Sequence, residues 1–450
     1  MSYKINRYMK KFGWIFLAGM FLMACKTQKT TEQQVIYSQQ AVESLALQTF
    51  LSNTKPQQLA TAEWDYVPGL VALSVLKAYE LYPEKTAYYE AVKAYAEHSL
   101  KGGDTIAVRY TAIDDLAAGK IFFTLYETEM KRGNTATAER YKNCVTAFRN
   151  KLKYNHLRIQ KGVKGEGFFI HKLVYPNQMW LDGLFMGSPM YAGWQRYFGK
   201  ELGEKDNFDS WSDIAHQFKI INQYTYDAEK QLNYHVFAAD TKDKNAFWAK
   251  KEEPHQGCSP EFWGRGMGWY FAALVDVLEW MPKTHPDYAS LLTITQQVAQ
   301  GLARYQDKES GCWYQLLQYD ATVKSNPAGD VVGGKTYNQG EKNNYLEASA
   351  SAMFTYAYLK GIRLGILDKK TYRSIAEKAY QGLIREFIRT NSTGGIDIIQ
   401  SCASAGLGPE KDPSRCGTIN YYLCGKDVGI TQNEGKAIGA FILAALEYEK

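Results

Sequence analysis

Apolar residues recur along the chain at helical intervals far more often than they alternate. Val71, Val75, Ala78, Tyr79 and Tyr82 fall at i, i+4, i+7, i+8 and i+11, and Leu291, Ile294, Val298 and Leu302 at i, i+3, i+7 and i+11. Both patterns put one apolar stripe on an α-helix. Segments of this kind predict helices over about 35–50, 65–82, 86–99, 115–130, 134–151, 179–197, 207–223, 262–280, 287–304, 347–365, 369–389 and 433–449. They are of two sorts. Gly266–Glu279 (GMGWYFAALVDVLE) is apolar nearly all round and belongs in an interior. Ala136–Lys151 (ATAERYKNCVTAFRNK) is amphipathic and suits an outer layer. Inner and outer helices alternating in this way predict an all-α, (α/α)6 barrel of six hairpins. The rival is a helical-repeat solenoid, and no fixed period of roughly 34 residues supports it.

The first residues read as an address and not as part of that fold. Residues 1–11 are positively charged, and Phe12–Ala24 (FGWIFLAGMFLMA) is a 13-residue apolar run. That is too short to span a hydrocarbon core of about 30 Å as a helix, and it suits a signal peptide. It ends in Leu22-Met23-Ala24-Cys25, which resembles a bacterial lipobox with Cys25 as the lipidated residue. The predicted organisation is a lipoprotein signal peptide over 1–24, a polar tether over 25–34 and one domain over 35–450. An exported protein, periplasmic or on the cell surface and held to the membrane through its N-terminal lipid only, is the expectation.

Composition narrows the class. Of the 450 residues 45% are apolar and 22% charged, the proportions of a globular chain. The formal charge is +6, but residues 1–24 hold Lys4, Arg7, Lys10 and Lys11 and no acid, leaving 6 − 4 = +2 for the rest. That is no basic stripe for nucleic acid. Without Cys25 the seven cysteines become six: Cys144, Cys258, Cys312, Cys402, Cys416 and Cys424. An oxidising compartment permits disulfides, and the crowding of the last three predicts a Cys402–Cys416 or Cys416–Cys424 staple. No C-x-x-C pair is present, so no zinc site is expected.

Four long stretches without helical period, about 155–178, 224–261, 306–346 and 390–432, carry much of the Trp, Tyr, His, Gly and Asn. Loops longer than about 15 residues are usually functional. Within His171–Met190 (HKLVYPNQMWLDGLFMGSPM), Asp182 opens a strongly apolar helix. Burial there would raise its pKa and the helix N-terminus would oppose the rise. Such a carboxyl suits general acid or base work, or equally a cap or buried hydrogen-bond partner. Asp114, in Ile113–Leu116 (IDDL), opens another apolar helix and reads by local chemistry as an N-cap. His235, in the loop LNYHVF, and Arg265, beside Trp263, are further candidates. An arginine there could grip a planar carboxylate with two hydrogen bonds, or merely lie on the tryptophan. Nucleophile elbow, phosphate loop and dinucleotide fingerprint are all missing.

Six motifs in order then resemble one family. They are WDYVPGL (Trp64–Leu70), IDDLAAGK (Ile113–Lys120), HKLVYPNQMWLDGLFM (His171–Met186), SPEFWGRGMGWY (Ser259–Tyr270), NYLEASASAMF (Asn344–Phe354) and TQNEGKAIGAFILA (Thr431–Ala444). Over about 60–449 the chain resembles the unsaturated rhamnogalacturonyl hydrolases of glycoside hydrolase family 105, and more distantly the unsaturated glucuronyl hydrolases. The resemblance implies the (α/α)6 barrel and a glycosidase that needs neither metal nor organic cofactor. It also implies an oligosaccharide substrate from pectin breakdown, ending in a uronic acid with a double bond between carbons 4 and 5. A carboxyl protonates carbon 4, water adds at carbon 5, and the hemiketal opens to release the remaining sugar. Residue by residue, the acid/base falls on Asp182. The second acid falls on Asp114, with Asp115 as the neighbouring alternative. His235 and Arg265 are then contacts to the uronate or its water, and His171, Gln178, Trp180 and Trp269 line the site. Two other readings stay open: an unsaturated glucuronyl hydrolase acting on glycosaminoglycan disaccharides, and a lipid-anchored glycan-binding protein without catalysis.

Overall fold

The computed structural model describes residues 59–109, 112–392 and 396–450. The signal peptide over 1–24, the tether over 25–34, Cys25 and the helix expected over 35–50 all lie outside the described residues. Inside them, the more apolar helices form an inner ring. These are α1 (Tyr66–Leu81), α3 (Ile121–Lys131), α5 (Leu181–Phe198), α7 (Gly264–Trp280), α9 (Ala348–Arg363) and α12 (Gly435–Glu449). In α7 every residue from Gly264 to Leu278 is buried. Each member packs on the next, and α12 returns to α1, so the ring closes.

The amphipathic helices form the outer layer. They are α2 (Thr86–Leu100), α4 (Thr135–Asn150), α6 (Glu204–Thr225), α8 (Tyr288–Arg304) and α10 (Lys369–Phe387). Each lies against the inner helix that precedes it. In α10 burial is confined to one stripe running from Ala376 to Phe387, as its period requires. The hairpin architecture expected of an (α/α)6 barrel is the one observed. A short α11 (Ile419–Cys424) lies in the last long loop.

One element departs from its expected form. The helix predicted over 115–130 begins as a 3-10 turn, Asp114–Lys120, and only then becomes α3. Here α1 comes very close: a Cβ on Gly69 would lie 2.3 Å from the Ala118 Cβ. The Trp64 indole also donates to the Asp115 carbonyl at 2.8 Å, giving that oxygen a partner outside the ladder. The tighter winding brings Asp114 to the barrel end where the long loops gather.

The strands in those loops form only two-stranded ribbons among the described residues. The one that matters pairs β1 (Gln178–Trp180) with β2 (Val236–Ala238), Trp180 opposite Val236. Tyr175, Trp180, Trp248, Trp263, Leu407 and Tyr422 pack there into a second apolar cluster, so much of the aromatic excess is core. The expected disulfide staple is not formed: all six described cysteines are thiols. Each of the last three has its own local acceptor. Cys402 Sγ donates to the Ser404 carbonyl at 3.0 Å, Cys416 Sγ to Asp330 at 3.2 Å and Cys424 Sγ to the Gly340 carbonyl at 3.4 Å.

Candidate active site

Asp182 is the second residue of α5, directly after β1. The β1–β2 ribbon carries His235 to its side, and the Leu181 N–H donates to the His235 carbonyl at 3.2 Å. His235 Nε2 then lies 2.9 Å from Asp182 Oδ2, and Nδ1 lies 2.8 Å from the Tyr422 hydroxyl. Burial pushes the Asp182 carboxyl upward, but His235 foremost, with His171 and a backbone hydrogen bond, outweighs it and holds the group below the usual carboxylate range. This corrects the rise expected from the apolar flank, which leaves out a partner 53 positions away in the chain. His235 is fully buried with both ring nitrogens engaged. It stands behind Asp182 and does not face the pocket.

Asp114 has a different setting. His171 Nε2 is 3.1 Å from its Oδ1 and Lys172 Nζ 2.8 Å from its Oδ2. The bridge between Ala112 and Lys172, with the Ile113 N–H donating to the His171 carbonyl at 3.1 Å, fixes this arrangement. Burial opposes ionisation, yet His171 and Lys172 outweigh it and hold the Asp114 carboxyl far below the usual range. The side chain does not cap its helix. Asp115 turns elsewhere, accepting from Arg109 Nε at 2.9 Å, and only Asp114 of the two reaches the pocket.

The pocket, a cavity of about 90 Å³, lies at this end of the barrel. Trp180, Trp263 and Trp269 give it aromatic walls, and both acids and His171 open onto it. Arg265 lines the same pocket, and its Nη1 donates to the Ser349 hydroxyl at 3.3 Å and to the Cys402 carbonyl. The guanidinium carbon is 4.9 Å from the Trp263 ring centre. Arg265 is 2% exposed, its Nε has no hydrogen-bond partner, and no carboxylate pairs with it among the described residues. Glu347 holds the Cys402 segment by accepting from its N–H at 2.9 Å, and it also caps α9 through the Ser349 and Ala350 N–H groups.

Six of the sequence candidates therefore meet at one pocket: Asp182, Asp114, Arg265, His171, Trp180 and Trp269. Gln178 does not. It is buried beneath Trp180, whose Nε1 donates to its Oε1 at 3.1 Å. Sequence reasoning missed Tyr66, Lys172, Lys436 and Arg415, which also line the space. Lys172 adjoins His171, and Lys436 lies inside the last motif, so a signal existed for both. Arg415 sits in an aperiodic loop that offers none.

Over residues 41–328 and 335–450 the chain matches the model of Glycosyl Hydrolase Family 88. A solved family 105 glycoside hydrolase of C. acetobutylicum ATCC 824 is 33% identical with a TM-score of 0.73, covering 92% of this chain and 99% of that one. An unsaturated rhamnogalacturonyl hydrolase of Bacillus subtilis (strain 168) is 22% identical over 331 residues, 74% of this chain and 79% of that protein. The unsaturated glucuronyl hydrolase of Bacillus sp. GL1 shares the fold at 13% identity and a TM-score of 0.55, covering 93% of this chain and 97% of that one.

Proposed function

The chain belongs to Glycosyl Hydrolase Family 88, and on that premise we propose that it removes the 4,5-unsaturated uronic acid from the non-reducing end of lyase-generated pectin oligosaccharides, with unsaturated galacturonyl-rhamnose as substrate. The observation that carries this reading is one pocket that holds Asp182, backed by His235, together with a buried arginine that pairs with no carboxylate among the described residues. Arg265 receives the uronate carboxylate in the two-pronged geometry its planar fork favours. Trp180 and Trp269 supply apolar faces for the ring.

Binding prepares the acid. A uronate entering on Arg265 brings negative charge and expels water, and both raise the proton affinity of Asp182. Asp182 then gives its proton to carbon 4, the carbon 4–carbon 5 π bond breaks, and positive charge spreads between carbon 5 and the ring oxygen. Water adds at carbon 5 and returns a proton to the Asp182 carboxylate, so the acid is regenerated. The hemiketal opens to a ketone at carbon 5, and the hemiacetal left at carbon 1 collapses to release the linked sugar. Asp114, fixed by His171 and Lys172, is an orienting carboxylate for hydroxyl groups of the same ring. Two carboxylates across a glycosidic bond, the ordinary glycosidase arrangement, are not required.

Assays that follow loss of the unsaturated-uronyl absorbance with disaccharides made by rhamnogalacturonan and chondroitin lyases test the substrate. Faster consumption of the rhamnose-linked compound is expected. Consumption of the chondroitin product alone would move the activity to glucuronyl disaccharides, and binding without consumption would make the protein a glycan-binding one. The n-region and lipobox-like run support export and anchoring through Cys25. Palmitate labelling that survives Cys25→Ala would refute the anchor.

A further inference from the structure

The pocket is graded in depth. At its bottom Arg265 and Asp114 are 2% and 3% exposed. At its mouth the side chains of Arg415 and Lys172 are 22% and 39% exposed. Lys172 is committed to Asp114, but Arg415 belongs to neither acid. It is carried on the loop that closes the other side of the opening, with Ser404, Ala405 and Gly406.

Arg415 is held in place by a scaffold of its own. Its Nε lies 3.1 Å from Asp427 Oδ2, and the Tyr421 hydroxyl donates to the same oxygen at 3.1 Å. The Tyr421 oxygen in turn accepts from the Gly406 N–H at 2.8 Å. The guanidinium lies directly on that glycine, for a Cβ on Gly406 would come within 2.3 Å of Arg415 Nη2. The absent side chain at 406 therefore makes room for the arginine. Because Asp427 balances its charge, Arg415 offers directed N–H donors with little net field, which suits hydroxyl and ether oxygens better than a second anion.

The reacting bond decides what those donors meet. Asp182 has to reach carbon 4 of the terminal ring, and the uronate carboxylate lies on Arg265 at the bottom. The substituent on carbon 1 then points to the mouth. We propose that Arg415 is a specificity-determining residue that hydrogen-bonds a neutral sugar on the leaving side of the bond. This rests on the reading of the pocket as a site for a non-reducing unsaturated uronate.

The test compares wild type, Arg415→Ala and Gly406→Ala on two substrates: unsaturated galacturonyl-rhamnose and the methyl glycoside of the unsaturated galacturonate. Gly406 has no positive φ, so alanine there displaces the guanidinium from its place and leaves the backbone unstrained. It therefore decides the matter even where Arg415→Ala fails to fold. Both variants should lose about tenfold or more in kcat/KM on the disaccharide, mainly through KM, as expected for a charged-donor hydrogen bond. On the methyl glycoside they should stay within about twofold of wild type. Equal losses on both substrates, or none on either, would overturn the role of Arg415 while leaving the hydrolase reading intact. A wild type that consumes neither substrate would remove that reading and this one with it.

Discussion

His235 Nε2 lies 2.9 Å from Asp182 Oδ2, across 53 residues of chain. The contact is the main counterweight to what burial does to the carboxyl, and it makes the pair a single unit for holding a proton. His235→Gln keeps a hydrogen-bond donor but removes the ring that lowers the Asp182 pKa. The folded pKa of Asp182 then rises, and the acid keeps its proton to higher pH. The alkaline limb of kcat/KM should move upward while the rate at the optimum falls about 10- to 100-fold. A pH profile superimposable on wild type would contradict the coupling.

Asp114 and Asp115 separate by partner. Asp114→Asn breaks the set made with His171 and Lys172 at the pocket wall, and turnover should fall by about two orders of magnitude. Asp115→Asn loses only Arg109, whose side chain is 59% exposed, so kcat/KM should stay within a few-fold. Stability should fall by about 1–3 kcal/mol, because the buried Asp115 carboxylate also accepts from the Arg109 backbone N–H. Steady-state kinetics and thermal melts on both variants check this. Equal catalytic loss at the two positions would mean that Asp114 has no separate role.

Lys120 lies buried without a hydrogen-bond partner, its Nζ 3.4 Å from the centre of the Phe185 ring. Burial lowers its pKa to about 7, against about 10.4 in an unfolded chain. The unfolded chain therefore binds the proton more tightly. The folded state is penalised most at pH 7 and below, and the penalty fades as pH rises toward 10. Lys120→Met should raise the melting temperature near pH 7, with a gain that shrinks as pH increases. A gain that does not depend on pH would show that packing, and not charge, sets it.

The six described thiols make no cross-link. Melting temperatures with and without reductant should agree within about a degree, and six thiols beyond Cys25 should titrate in denaturant without reduction. A midpoint several degrees lower in reductant would indicate a disulfide.

What could be read beforehand follows from what each feature depends on. Inner and outer helices were legible because burial on all sides, as in Gly264–Leu278, and on one stripe, as in α10, leave different periods in the residues themselves. Asp182 and Asp114 were legible as carboxylates placed at the start of apolar helices. The ionisation of Asp182 was not, since it depends on a histidine delivered by a three-residue ribbon. His235 looked like a ligand contact and stands instead behind the acid. The 3-10 start at Asp114 was hidden because it comes from the close approach of Gly69 to Ala118, a tertiary fact. The disulfide expectation used cysteine spacing alone, and each thiol had found a nearer acceptor.

The central claim is that Asp182 starts the reaction by protonating carbon 4 of an unsaturated uronate. Purified wild type and Asp182→Asn, first shown to melt alike, are given unsaturated galacturonyl-rhamnose while absorbance and free rhamnose are followed together. Wild type should lose the unsaturated-uronyl absorbance in step with rhamnose release, and the variant should do both about 10²- to 10⁴-fold more slowly. Near-normal turnover by Asp182→Asn, or rhamnose released well ahead of the absorbance loss, would contradict the account.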